Sequence, residues 1–259
     1  MAIYGVAVDD VNNTVWATNT RANTVAVYSQ KDLALVKQFA HNSTPHGRDV
    51  VIDSVLNRAF VSSPTTDQLY VFNTHTLDAL EPITIPSTTD QSFAAMSLSY
   101  DPASHTLYTV SRSSNELAII DGKELKPIKT IALAGVKNAS GVAVAPNHKR
   151  AFITGQGSDN VVIVDLESDE IRHDVSVGAG AAALNVIWDE STQLAYVANR
   201  GTDTLSVINL NGDIVANLAV NSFPNHLAID NQGHVYLVNK SRGQDDKNGD
   251  HITKVQLKK

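Results

Sequence analysis

The 259-residue chain contains no cysteine, so disulfides and thiolate metal sites are excluded. No apolar run approaches the roughly 18 residues of a membrane-spanning helix. The start, "MAIYGVAVDD", has neither a basic segment nor a long apolar one, and so does not read as a signal peptide. Aromatics make up only 6% of residues, which leaves little for stacking on single-stranded nucleic acid. Positive charge is not in excess either. The net charge of −7 argues against polyanion binding by the whole surface. A sustained 3.6-residue hydrophobic period is absent throughout, which excludes a helical architecture. At 42% hydrophobic and 18% charged, the chain is a folding sequence, not a disordered one.

What is present is a repeat. Apolar stretches recur with end points at Asp9, Asp53, Tyr100 (with Asp101 next), Ala145, Asp189 and Asp230, spaced 44, 47, 45, 44 and 41 residues apart. Each is followed by a turn cluster and a second alternating run: "TVWAT", "RAFVS", "TLYTV", "RAFIT", "LAYVA", "HVYLV". A loop then leads to a third run ("TVAVY", "QLYVF", "ELAII", "NVVIV", "TLSVI", "ITKVQL"), and a fourth completes every unit but the last. Four short strands per unit of 40–45 residues mark a propeller blade. The expected fold is all-β: one β-propeller domain over 1–259, with six blades of four-stranded antiparallel sheets and a three-stranded last blade. The blades are expected near 4–40, 46–85, 94–133, 140–177, 184–220 and 225–259.

With the units aligned, "YVAN" (196–199), "NTVAVY", "GSDNVVIVD", "GTDTLSVIN" and "PHGRDVVID" resemble the YVTN family of β-propeller repeats, most closely in units one, four and five. The C-terminal "VYLVNKSRG…DHITKVQL" is similar to YncE-like bacterial envelope propellers. That resemblance implies a periplasmic or extracellular location and a binding role, with nucleic-acid binding in some members. Those propellers have seven blades and an N-terminal segment that completes the last one. Six units, with Met1 to Ile3 too short for a strand, make this chain resemble a truncated or engineered propeller lacking its first blade. Self-association through open blade edges is then a hazard.

Propeller loops between second and third strands, and the connections between blades, share one face around the axis. In these loops, Asn23, Asp67, Asn115, Asp159 and Asp203 each stand immediately before the third strand, as turn residues bonding nearby backbone N–H groups. Arg21, Arg112, Arg200 and Arg242 fall in the same loops, and Arg48 opens an innermost strand. Several guanidinium groups on one face suit a carboxylate or phosphate. The bland alternative is that each arginine braces its neighbour through carbonyls or the repeated Asp, with Asp90, Asp245, Asp246 and Asp250 offsetting the charge. His46, Asn225, His226 and Lys240 complete the candidate ligand-binding set. The other histidines, His41, His75, His105, His148, His173, His234 and His251, fall on turns or outer strands and are expected to be solvated. Trp16 and Trp188 read as core between blades.

"GAGAAA" (178–183) mimics a dinucleotide fingerprint but leads into a strand, so the required helix N-terminus is missing. "QDDKNGD" (244–250) resembles half an EF-hand loop without its first ligand or its closing Glu. Neither a GxSxG elbow nor HExxH occurs. No catalytic residue, metal ligand or cofactor is therefore assigned. The expectation is a non-catalytic binding or scaffold protein whose loop face takes a small anionic ligand or a protein partner. The alternatives are a propeller enzyme of metal-dependent lactonase or quinoprotein type, and a single-stranded nucleic-acid binder, which the acidic balance disfavours.

Overall fold

The computed structural model describes residues 3–255. The chain divides into two compact units, Met1–Ala132 and Leu133–Lys259. The first holds three sheets. They are β1 (Ile3–Asp9), β2 (Thr14–Asn19), β3 (Thr24–Ser29) and β4 (Leu35–Gln38); β5 (Val50–Asp53), β6 (Arg58–Val61), β7 (Gln68–Asn73) and β8 (Ile83–Thr84); and β9 (Ala95–Asp101), β10 (Thr106–Ser111), β11 (Glu116–Asp121) and β12 (Lys126–Ala132). The second unit holds β13 (Ala139–Ala145), β14 (Arg150–Gly155), β15 (Asn160–Asp165) and β16 (Ile171–Ser176). It continues with β17 (Ala183–Asp189), β18 (Leu194–Asn199), β19 (Thr204–Asn209) and β20 (Ile214–Ala219), then β21 (Pro224–Ile229), β22 (Val235–Asn239) and β23 (His251–Val255).

Every sheet runs in strict chain order, and every neighbouring pair is antiparallel. These are six propeller blades, five of four strands and a last of three. The described residues contain no α-helix, only a 3-10 turn at Pro146–His148. Blade two has the shortest outer strand, Ile83–Thr84, because Pro82 and Pro86 flank it and supply no N–H to a ladder. Gln256 and Leu257 of the "ITKVQL" run, and Met1, lie outside the described residues.

Period-2 alternation gives the sheets apolar faces, and within each unit the core lies between consecutive blades. Trp16, Phe39 and Phe72 form one aromatic cluster, with ring centroids 4.5–5.9 Å apart, around Val50 and Val61. Phe60 joins Leu98 and Leu107; Phe152 joins Val186 and Val197; Tyr196 joins Leu227 and Leu237. Each fully buried side chain of this size contributes about 1.5–3 kcal/mol. Trp188 is half-buried rather than core. It stacks on Phe152 at 5.3 Å, and its indole N–H donates to Glu190 at 2.6 Å.

The repeated Asp that ends the first-strand stretch caps the following turn, and at Asp9, Asp53 and Asp189 it is buried. Asp53 Oδ1 accepts the N–H groups of Val55 and Leu56, at 3.0 and 2.9 Å. Asp9 does the same for Val11 and Asn12, and Asp189 for Ser191. Burial opposes ionisation of all three, but the hydrogen bonds win and hold their pKa values below the usual carboxylate range. In blade three Asp101 pairs with Thr106 as Asp9 pairs with Thr14, so Asp101, not Tyr100, is the structural end point.

Four histidines expected to be solvated, His105, His148, His173 and His234, are instead half-buried. His105 Nδ1 lies 2.7 Å from Asp53 Oδ2 and 3.1 Å from the Tyr100 hydroxyl. His234 Nδ1 lies 2.9 Å from Asp230 Oδ2, and His148 packs edge-on to Trp188. For His105 the partner is the buried turn carboxylate of Asp53, which hydrophobic patterning does not report.

Candidate functional site

The Asn or Asp before the third strand has a double role. Asn23, Asn115, Asp159 and Asp203 all adopt left-handed backbone, with φ between 52 and 56°. Short polar side chains tolerate that conformation best after glycine. Three of them also tether the connection between blades. Asn23 Oδ1 accepts the N–H of His46, Asp159 Oδ1 that of Ala182, and Asp203 Oδ1 that of Phe223, each at 2.8 Å. Asp159 Oδ2 adds the N–H of Gly180 at 2.8 Å. Each tethered residue is itself left-handed, with φ of 48, 48 and 56°. Asp67 does not share the left-handed turn; its loop instead borders a shallow depression of about 440 Å³ with Pro64, Thr65, Ser92 and Ala94.

In the first unit these turns place Arg21, His46, Arg48 and Arg112. Arg21 is exposed after β2. His46 is exposed too, and it is its backbone N–H that is engaged. Arg48 is fixed through its backbone. Its N–H donates to the Ser62 carbonyl at 2.9 Å, and its carbonyl accepts from the Thr18 hydroxyl at 2.9 Å. Its guanidinium lies 4.2 Å from the centre of the Tyr4 ring. Burial lowers the Arg48 pKa, opposed by Tyr4 and Asp49 and reinforced by the positive charge of Arg112. Asp49 is committed elsewhere, since its oxygens accept the N–H groups of Val50 and Leu98 at 3.0 Å each. Among the described residues, neither Arg48 nor Arg112 forms an ion pair with a carboxylate. Arg48 thus feels a second cation, Arg112, and one carboxylate, Asp49, whose oxygens are bonded to backbone.

The second unit arranges its cations differently. Phe223, in the connection before β21, carries Arg200 at 3.8 Å from its ring centre, with Arg242 at 5.4 Å. Arg242 is a brace. Its Nη2 donates to Asp203 Oδ1 at 2.8 Å and to the carbonyl of Arg200 at 3.3 Å. Asp203 Oδ1 therefore receives both the Arg242 guanidinium and the Phe223 N–H. Lys240 is exposed, and its N–H donates to the Phe223 carbonyl at 3.1 Å. Asn225 is buried on β21, and His226 beside it pairs with Val238 in the ladder. The "QDDKNGD" loop is bonded to itself: Asp246 accepts the N–H groups of Arg242 and Asn248 and the Ser222 hydroxyl. No group of three or more metal-ligating side chains occurs among the described residues.

Sequence reasoning missed Tyr4 and Phe223, the two aromatic platforms under the arginines. The available signal was an aromatic residue just ahead of, or opening, an innermost strand ("IYGV", "SFPNH"), one unit with an arginine two residues before its own.

Comparison with solved structures supports the propeller fold. Virginiamycin B lyase from Staphylococcus aureus superimposes with a TM-score of 0.77 at 14% identity, over 99% of this chain and 85% of that one. Hydrazine synthase from Kuenenia stuttgartiensis gives a TM-score of 0.83 at 13% identity, over 99% and 84%. A catalytically inactive variant of the same lyase, with quinupristin, gives 0.76 at 14%, over 97% and 83%. At such identities the likeness is one of fold. No family model matches the chain, and no curated protein matches it.

Proposed function

We propose that the protein is a non-catalytic binding propeller that takes a small anionic ligand on its loop face, at Arg48 and Arg112 of the first unit. The observation that carries this reading is the Arg48 guanidinium held over the Tyr4 ring, within electrostatic reach of Arg112, while both oxygens of the neighbouring Asp49 accept backbone N–H groups. Desolvating a guanidinium beside a second cation costs stability, and a bound carboxylate or phosphate offsets that cost through bidentate hydrogen bonds. The similarity of the repeats to the YVTN family and to YncE-like propellers supports a binding role and a periplasmic or extracellular location.

The test is calorimetric titration of the purified chain, in phosphate-free buffer, with inorganic phosphate and with citrate. Saturable binding that weakens at least tenfold in Arg48→Ala and in Arg112→Ala, but not in Arg242→Ala, supports the reading. Absence of heat with either probe, or equal loss in all three variants, overturns it.

A further inference from the structure

Blade four departs from its sister blades at a place where the others agree. The outer strands β4, β12, β16 and β20 carry a bulge at the same point, where the register skips one residue: Val36, Ile128, Arg172 and Val215. A bulge re-aims a side chain. Three blades put an exposed aliphatic residue there and blade four an arginine, so the bulge itself does not require a charge. Arg150 departs as well. It opens β14 where blades one, three and five have Thr14, Thr106 and Leu194.

Both arginines share one buried carboxylate. Asp165 Oδ2 lies 3.1 Å from Arg150 Nη1 and 3.0 Å from Arg172 Nε, and its Oδ1 accepts the N–H groups of Glu167 and Ser168. Those two N–H groups, ahead of the arginines, bring the Asp165 pKa down to about 2. Arg150 bonds through Nη1 alone, to Asp165 and to the carbonyls of His148 and Lys149. Arg172 adds Glu170 at 3.3 Å, but Glu170 is largely exposed and its charge is screened by solvent.

Arg150 and Arg172, with His148, His173, Leu210 and Asn211, line a depression of about 300 Å³ between blades four and five, within the second unit. No carboxylate is among these six residues. His148 sits in the 3-10 turn, and its Nε2 is buried without a hydrogen-bond partner. Glu190 lies 3.7 Å from it, with its two oxygens engaged by the Asn147 amide and the Trp188 indole. Among the described residues, the side chains of His173 and Asn211 make no hydrogen bond either. Gly212, with φ of 81°, brings the turn after β19 close, since a Cβ there would lie 3.1 Å from His173. Unbonded donors thus line an open space that has one aliphatic wall, Leu210.

We infer that this depression is a binding site for a small organic oxyanion, a phosphate or carboxylate group on a compact apolar body. Arg150 and Arg172 take the anionic group, His148 and His173 supply ring N–H donors beside it, and the apolar body rests on Leu210. The site lies at the strand ends opposite the loops that hold Arg200 and Arg242. It uses neither Arg48 nor Arg112, and stands whether or not those residues bind an anion.

The chain has two tryptophans, and only Trp188 is near this site, packed against His148 and bonded to Glu190. Trp16 is fully buried in the first unit. Proton–nitrogen correlation spectra therefore report the site through one of two indole N–H signals, during titration with inorganic phosphate and with phenyl phosphate. The expected result is a saturable shift of the Trp188 signal, a still Trp16 signal, and tighter binding of phenyl phosphate. Arg172→Val and Arg150→Thr install residues that sister blades carry at these places, and each is expected to weaken binding about tenfold. Arg48→Ala is expected to leave the shift intact. Absence of a saturable shift with either probe, or a shift that survives both Arg172→Val and Arg150→Thr, would overturn the proposal. Equal affinity for the two probes would overturn the part given to Leu210.

Discussion

Asp53 and His105 meet across two blades: the carboxylate that ends β5 lies 2.7 Å from the imidazole in the turn between β9 and β10. Asp53 is almost fully buried and also accepts two backbone N–H groups, so its charge is held on both sides. Asp53→Ala is expected to lower stability by about 3 kcal/mol, because it strands donors in the interior. Urea unfolding of the two proteins at neutral pH measures the difference.

Acid lability follows from the same carboxylates. Asp9, Asp53 and Asp189 have folded pKa values below the usual range, through hydrogen bonds that outweigh burial. A depressed carboxylate stabilises the fold above its unfolded pKa of about 3.9, and that stability is lost as pH falls through the folded value. The melting temperature is expected to hold steady from neutral pH to about pH 5 and to drop steeply below about pH 4. Asp53→Asn should flatten part of that drop in a differential scanning series.

Asp159 separates backbone strain from hydrogen bonding. It combines a φ of 54° with bonds to the N–H groups of Gly180 and Ala182. Asp159→Gly removes only the bonds, at about 1–2 kcal/mol, whereas Asp159→Ala adds a left-handed alanine and costs roughly 1 kcal/mol more. Asp159→Asn is expected to cost least. Chemical denaturation should rank the three in that order.

The two arginine environments predict opposite mutational behaviour. Arg242 is half-exposed and paired with Asp203, so Arg242→Ala should cost no more than about 1 kcal/mol of stability. Arg112→Ala relieves repulsion on Arg48 and is expected to leave stability unchanged or slightly raised. Thermal melts of both variants in phosphate-free buffer discriminate the two roles.

Much of the fold was legible because propeller blades repeat, and six aligned copies average out local ambiguity. The turn Asn and Asp were legible for the same reason: one residue type at one offset signals one backbone need, here a positive φ at Asn23, Asn115, Asp159 and Asp203. The candidate site was legible only as a set of cations in loops. Sequence shows that Arg242 and Arg112 share a loop position class, but not that Arg242 reaches Asp203 while Arg112 acts electrostatically on Arg48. That distinction depends on side-chain reach across blades. His105 was misjudged similarly, since its partner Asp53 lies 52 residues away.

The unbroken chain order within each sheet has a consequence for biosynthesis. Among the described residues, every strand pairs only with its immediate predecessor or successor, so no ladder there waits for a distant segment to be translated. Loop-closure entropy stays small at each step. A nascent chain can finish one sheet before the next leaves the ribosome, and each finished sheet offers an apolar template to its successor. Maturation is then vectorial, sheet after sheet along the chain.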